Sequence, residues 1–162
     1  DGLMKSYKWA IEQDNNVDFI GVSILACPIA LGINESKHGD GARDDAYKMQ
    51  RYLSRWEILR ELDNRHLLDG VYKKLHCLGM TDGPKEIALL YNNYRDLIFS
   101  WDSSSAIWHA INGIEYDLSP TGLRDGKCEV EVDFNIAPPD TFDVMPRIAY
   151  NMGLIDRLCM GE

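Results

Sequence analysis

The chain has 162 residues, carries a formal net charge of −9 at pH 7, and is 45% hydrophobic and 27% charged. This composition excludes a disordered chain, and the length most simply gives one domain, 1–162, that buries roughly 70% of its unfolded surface. The acidic balance disfavours nonspecific binding to nucleic acid, because such binding depends on neutralising phosphates with basic side chains.

The first marked feature along the chain is an uncharged run, FIGVSILACPIALGI, from Phe19 to Ile33. As a helix it would reach only about 22 Å, less than the roughly 30 Å of a bilayer core, and Pro28 would interrupt it. It follows a polar segment, whereas a signal peptide follows a basic one. We therefore expect it inside the protein, with residues 19–25 as a buried strand or short helix and a turn at Cys27 and Pro28.

Helical periodicity is the main signal in the rest of the chain. A short helix is predicted over residues 3–12, and apolar residues at spacings of three and four predict an amphipathic helix from Asp45 to Leu62. A second amphipathic helix is predicted between Asn64 and Gly79, and a third from Pro84 to Trp101. A last helix is predicted after Asp143, with Pro146 in its first turn.

Strand signals lie in the last third of the chain. Asn112 and Gly113, between β-prone residues, are typical of a two-residue hairpin turn. The segment KCEVEVDFNI, residues 127–136, alternates apolar and polar side chains as a half-buried strand does. We therefore expect an α+β fold of about four amphipathic helices, an antiparallel meander of about three strands and the buried N-terminal segment.

The polar face of that strand is the first candidate site. Glu129, Glu131 and Asp133 would lie on one side of the strand, with about 7 Å between successive members. Such a patch suits docking on a basic protein partner, or sharing a divalent metal. An ordinary solvent-facing strand, whose charges discourage edge-to-edge pairing, is the structural alternative.

Two further groups of residues are candidates for binding. Lys48, Arg51 and Arg55 form a basic stripe beside the apolar face of a predicted helix, although their stems alone would shield the edge of the core. The loop ESKHGDGARDD holds His38 and Asp40 beside glycines, in the kind of segment where binding residues concentrate. Helix capping and a flexible connection are the alternative interpretation of this loop.

Complete catalytic motifs are not found in the sequence. The segment WDSSSAIWH brings Asp102, three serines and His109 together along the chain, but catalytic triads are assembled by tertiary geometry and no GxSxG elbow is present. The four cysteines lack zinc-knuckle spacing and lie in apolar runs, as the reduced thiols of a cytosolic protein do. A winged helix-turn-helix would need more basic residues than the third predicted helix offers.

The sequence therefore predicts a non-enzymatic cytoplasmic protein, of inhibitor or adaptor type, that recognises a macromolecular partner through charged surface patches. The expected partner is a protein rather than nucleic acid or a membrane, and no cofactor, metal or catalytic residue is predicted. Two alternatives stay open. One is a metal-assisted hydrolase that uses the clustered carboxylates, with His38 or His109 nearby. The other is a structural subunit of an assembly, which would expose an extensive apolar surface when isolated.

Overall fold

The computed structural model describes residues 2–12, 18–33, 45–70, 73–79, 83–117, 119–123, 133, 135 and 143–161. Within these ranges the chain forms six helices and three strands. In chain order they are α1 (Gly2–Glu12), β1 (Phe19–Ser23), α2 (Ala26–Ala30), α3 (Asp45–Asn64), β2 (Lys74–Leu78), α4 (Glu86–Tyr94), β3 (Ile98–Asp102), α5 (Ser105–Ile111) and α6 (Val144–Met160). No helix in these ranges combines the length and hydropathy that crossing a bilayer requires.

The three strands form one parallel sheet in the order β1-β2-β3. The expected mixture of helices and strands is thus confirmed, whereas the antiparallel meander is wrong, and the described helices number six rather than four. Parallel neighbours cannot be joined by a tight turn and need a long crossover, usually a helix. Helix α3 lies in the crossover from β1 to β2, and α4 in the crossover from β2 to β3.

One face of the sheet is covered by helices and forms the main core. Strand residues that alternate along the chain pack there against α1, α3 and α4. The fully or nearly buried members from the strands are Ile20, Val22, Leu75, Cys77 and Ile98, and those from the helices are Tyr7, Cys27, Ile58, Leu59, Leu62 and Leu90. Each large aliphatic side chain buried in this way stabilises the fold by about 1.5–3 kcal/mol.

The opposite face of the sheet is only partly covered, and we call it the open face. Phe19 is 47% exposed, Leu78 41% and Phe99 62%. The rings of Phe19 and Phe99 contact each other with their centroids 4.8 Å apart. Parallel sheets are normally covered on both faces, so strand side chains on this side are unusually accessible to an outside molecule.

A bulge in β3 decides which of its side chains reach the open face. Leu75 pairs with Ile98 but His76 pairs with Ser100, so that Phe99 is an extra residue in the ladder. Without the bulge, strict alternation would send residues 98, 100 and 102 to the helix-covered face together. Instead Trp101 packs against the core, and residues 100 and 102 lie on the same side as His76.

Several predicted elements are confirmed along the chain. Helices α1, α3 and α6 and strand β1 lie where the patterns placed them, and Pro146 falls in the first turn of α6. The predicted turn at Cys27 and Pro28 is instead helix α2. Pro28 is tolerated there because the first-turn N–H groups of a helix have no partner within the helix.

Three predictions between residues 64 and 113 are wrong. The chain leaves the helical path at His66 and Gly70, both with positive φ, and residues 74–78 form β2 rather than the end of a second helix. The third predicted helix stops at Tyr94, and residues 98–102 form β3. Asn112 is the C-cap of α5 rather than part of a hairpin turn, and Gly113, at φ +77°, suits the left-handed residue that follows a helix.

Candidate functional site

The carboxyl ends of the three strands meet at one edge of the sheet. Leu78, the last residue of β2, pairs with Ser23 of β1 and Asp102 of β3. In open sheets of parallel strands, ligands bind in the crevice outside the carboxyl ends. Asp102 lies at this edge with a side chain that is 62% exposed, so it is the first residue to consider for contact with a ligand.

The carboxylate of Asp102 is held at two points. Its Oδ1 accepts a hydrogen bond from the backbone N–H of Gly79 at 2.8 Å. Its Oδ2 lies 3.8 Å from Nε2 of His76. One oxygen is therefore fixed by the turn that follows β2, while the other stands beside an imidazole and close to solvent.

His76 is in turn oriented by Ser100. The Nδ1 of His76 and the Oγ of Ser100 are 2.7 Å apart across neighbouring strands. The three side chains thus form a row, and they are the residue types of a serine protease triad. In such a triad the serine meets the substrate and the aspartate is buried. Here Asp102 is 62% exposed, the side chain of His76 30%, and Ser100 is half-buried, so the carboxylate is the member that meets a ligand.

The turn at Gly79 requires glycine. Its φ of +72° lies in the left-handed region that other residues seldom adopt. A Cβ atom there would also stand 3.0 Å from Cδ1 of Ile24. In this conformation the N–H of Gly79 points to Asp102, while its carbonyl oxygen accepts a hydrogen bond from Nε1 of Trp101 at 2.8 Å.

The predicted basic stripe is not a continuous surface, because Arg55 is fully buried. Its guanidinium pairs with both carboxylate oxygens of Glu86 at 2.7 Å, and this pairing compensates for its removal from water. Lys48 and Arg51 are half-buried, and the Arg51 guanidinium lies 6.0 Å from the ring centre of Tyr47. A role in partner docking stays a prediction for these two residues, whereas Arg55 is not exposed to a partner.

The other predicted candidates fall mostly outside the described residues. These are Glu129, Glu131, His38 and Asp40. Asp133 is described and exposed, and its Oδ1 accepts hydrogen bonds of 2.9 Å from the backbone and side-chain nitrogens of Asn135. Among the residues that the structure describes, no three His, Cys, Asp or Glu side chains are grouped as metal ligands.

His109, the histidine considered for the hydrolase alternative, lies in the interior of the C-terminal part. Its Nδ1 is 3.2 Å from Oη of Tyr116, and burial lowers its pKa from the ordinary value. The same region is held together by hydrogen bonds of the fully buried Asn151. Its Oδ1 accepts from the N–H of Tyr116, and its Nδ2 donates to the carbonyls of Ala106 and Ile114. We therefore interpret His109 as a core residue.

Sequence reasoning missed the row of Ser100, His76 and Asp102 because it assigned residues 64–101 to helices. A signal was present, since KLHCL alternates polar and apolar residues and Asp102 directly follows the apolar segment LIFSW. The chain was also compared with protein-family models, with curated proteins and with solved structures, and none of the three comparisons found a match. Function is therefore inferred from the geometry around Asp102.

Proposed function

We propose that the chain is an enzyme that binds a small polar molecule at the carboxyl edge of its parallel sheet and uses the Asp102 carboxylate as nucleophile or general base. The observation that carries this proposal is the exposed carboxylate, fixed by the N–H of Gly79 and flanked by His76. Aspartate carboxylates serve enzymes in both roles. A merely solvated surface aspartate would not need a bulge in its strand and a glycine turn to orient it.

The connectivity of the sheet supports the same location. The strands are parallel, follow one another in sequence order, and have α1, α3 and α4 on one face. This repeated strand-helix arrangement is the one that builds (β/α) barrels, whose active sites lie at the carboxyl ends of the strands. The proposed site occupies the corresponding edge.

Each residue of the row has a proposed task. As a base, the Oδ2 of Asp102 takes a proton from the substrate; as a nucleophile, it bonds to an electrophilic atom of the substrate and expels that atom's leaving group. In both cases Oδ1 stays bound to Gly79. His76 transfers a proton to or from the reacting group through Nε2. Ser100 holds Nδ1 of His76 and thereby keeps Nε2 directed to the carboxylate.

The substitution Asp102→Asn tests this proposal because it keeps the shape of the side chain and removes its charge. A library of small polar metabolites is screened by thermal shift against the wild type and the variant. A ligand at 100 times its Kd adds about 2.7 kcal/mol, which for a chain of this size is a rise in Tm of about 5–10 °C. We expect ligands that stabilise the wild type and have lost most of this effect on the variant.

Asp156→Asn is the matched control, because Asp156 is an exposed carboxylate on α6. It is expected to respond to every ligand as the wild type does. The proposal is wrong if no compound stabilises the wild type, or if every compound that does so stabilises Asp102→Asn equally well.

A second candidate function is a subunit of a larger assembly, and the open face favours it. Phe19, Leu78 and Phe99 expose apolar area on a kind of sheet that is normally covered on both sides. Sedimentation velocity over a range of concentrations tests this candidate, with Phe99→Ser to reduce the apolar surface. Self-association that weakens in the variant supports it, and a monomer at all concentrations removes self-assembly from consideration.

A further inference from the structure

We infer that Arg55 is a positioning residue for the Asp102 site, an inference that rests on the proposed function. Its guanidinium lies under the carboxyl edge of the sheet, fully buried. A guanidinium has five N–H donors in a fixed plane, and five hydrogen bonds are present. Two go to the carboxylate of Glu86, two from Nη1 to the carbonyls of Val22 and Leu78, and one from Nη2 to the carbonyl of Gly79.

These contacts join the ends of two strands to the first turn of the next helix. Val22 and Leu78 lie at the ends of neighbouring strands β1 and β2, and Glu86 begins α4. The third strand, β3, contacts Arg55 through Trp101. The centroid of the Trp101 ring lies 4.5 Å from Cζ of Arg55, and its Nε1 donates a hydrogen bond to the same Gly79 carbonyl. One side chain therefore fixes the relative positions of all three strands at the edge where Asp102 stands.

The connection to Asp102 runs through a single peptide group. The carbonyl of Leu78 and the N–H of Gly79 belong to the same planar unit and point in opposite directions. Arg55 holds that carbonyl at 3.2 Å, and Asp102 accepts from that N–H at 2.8 Å. Because Arg55 holds the carbonyl of Leu78, it orients the whole peptide plane and so directs the N–H of Gly79 to the carboxylate of Asp102.

Stability alone does not explain this arrangement. Replacing a buried ion pair by apolar residues of similar volume is often neutral or stabilising. A lysine would supply the charge but has three donors on a flexible stem and cannot match the planar fork. What Arg55 contributes beyond charge is therefore the orientation of the Leu78–Gly79 peptide, and with it the orientation of Asp102.

The test follows the amide proton of Gly79 by NMR. In the wild type its chemical shift reports the hydrogen bond to the Asp102 carboxylate, and Asp102→Asn, which replaces the carboxylate by an amide, changes that shift. In the double variant Arg55→Met with Glu86→Leu, which removes both charges of the buried pair, we expect Asp102→Asn no longer to change the Gly79 shift. Hydrogen exchange at Gly79 should become about tenfold faster, the factor that corresponds to about 1.4 kcal/mol.

The control is Arg60→Met, which removes an exposed arginine of the same helix that pairs with Glu57 and lies over Trp56. It is expected to leave the Gly79 signal as in the wild type. If the double variant does not fold, Arg55→Lys replaces it, with the same expected loss. A folded variant at position 55 in which the Gly79 shift still responds to Asp102→Asn and hydrogen exchange at Gly79 stays slow overturns the positioning role.

The two proposals fail in different experiments. The Gly79 signal is read without any ligand, so that it tests the link from Arg55 to Asp102 even if no compound binds. The ligand screen with Asp102→Asn tests the function of the carboxylate whatever holds it in place. A wild-type Gly79 signal that does not respond to Asp102→Asn overturns the hydrogen-bond link itself.

Discussion

Removing Arg55 alone is expected to be among the most damaging single substitutions in the core. Arg55→Met takes the guanidinium away from the buried carboxylate of Glu86, with both side chains of the pair at 0% exposure. Breaking a buried pair in this way costs about 3–5 kcal/mol, a large share of the roughly 5–15 kcal/mol that stabilises a typical domain. The loss arises more from the buried charge of Glu86, which has lost the guanidinium, than from the other contacts that Arg55 makes.

The double variant Arg55→Met with Glu86→Leu should therefore recover most of that loss. Two of the carbonyls that Arg55 contacts keep another donor, since Leu78 O also accepts from the N–H of Ile24 and Gly79 O from Trp101. We expect the double variant to lose about 1–2 kcal/mol in all, so that Glu86→Leu made in the Arg55→Met variant restores about 2–3 kcal/mol.

Urea unfolding followed by circular dichroism measures each stability by linear extrapolation. The wild type, both single variants and the double variant complete the cycle. If Arg55→Met loses no more than the double variant, taking the guanidinium away from the buried carboxylate of Glu86 has no energetic cost. The reasoning that links burial, pairing and peptide orientation at this edge would then be refuted.

Three further predictions concern other parts of the chain. Gly79→Ala should destabilise the fold by about 1–2 kcal/mol, because alanine is strained at the positive φ of this position. Gly70→Ala, at φ +67° with open space around it, is the control that has the same backbone strain but no contact with Ile24. Equal urea midpoints for the two variants would show that the contact with Ile24 adds nothing. Burial lowers the pKa of His109 below its ordinary value of 6.5, so the unfolded state binds more protons than the folded state and stability should fall as the pH drops below about 6.5. His109→Gln should therefore flatten the dependence of Tm on pH between pH 7.5 and 5.5. An unchanged dependence would contradict this prediction. If Glu129, Glu131 and Asp133 dock on a basic partner, replacing all three by their amides should weaken binding and reduce its salt dependence. Titration calorimetry at two salt concentrations measures both, and an unchanged affinity would be the contrary result.

The sequence predicted the long, strongly periodic elements and failed where segments are short. Helices α3 and α6 were recognisable because apolar residues recur at spacings of three and four over several turns of each. Strands β2 and β3 have five residues each, and a short apolar run fits a helix and a buried strand equally well. Parallel pairing was missed as a consequence, because it depends on contacts between segments far apart in the chain.

The site was predictable only in part, for the same reason. Burial of Arg55 follows from helical spacing, since it lies three residues after Tyr52 and four before Leu59, and both are buried. Its partner Glu86 is 31 residues away, and nothing local identifies it. The meeting of His76 with Asp102 depends on the bulge at Phe99, which the residue types of β3 do not reveal.

The extra residue in β3 makes the chemistry of this edge sensitive to the length of the strand rather than to its composition. Deleting Phe99 would restore simple alternation with Ser100 and Asp102 still on the open face and Trp101 toward the core, whereas deleting Trp101 would make Ser100 and Asp102 adjacent and place them on opposite faces of the sheet. A survey limited to amino-acid exchanges would overlook this dependence, because every reactive group would still be present. Single-residue deletions along β3 would expose it directly.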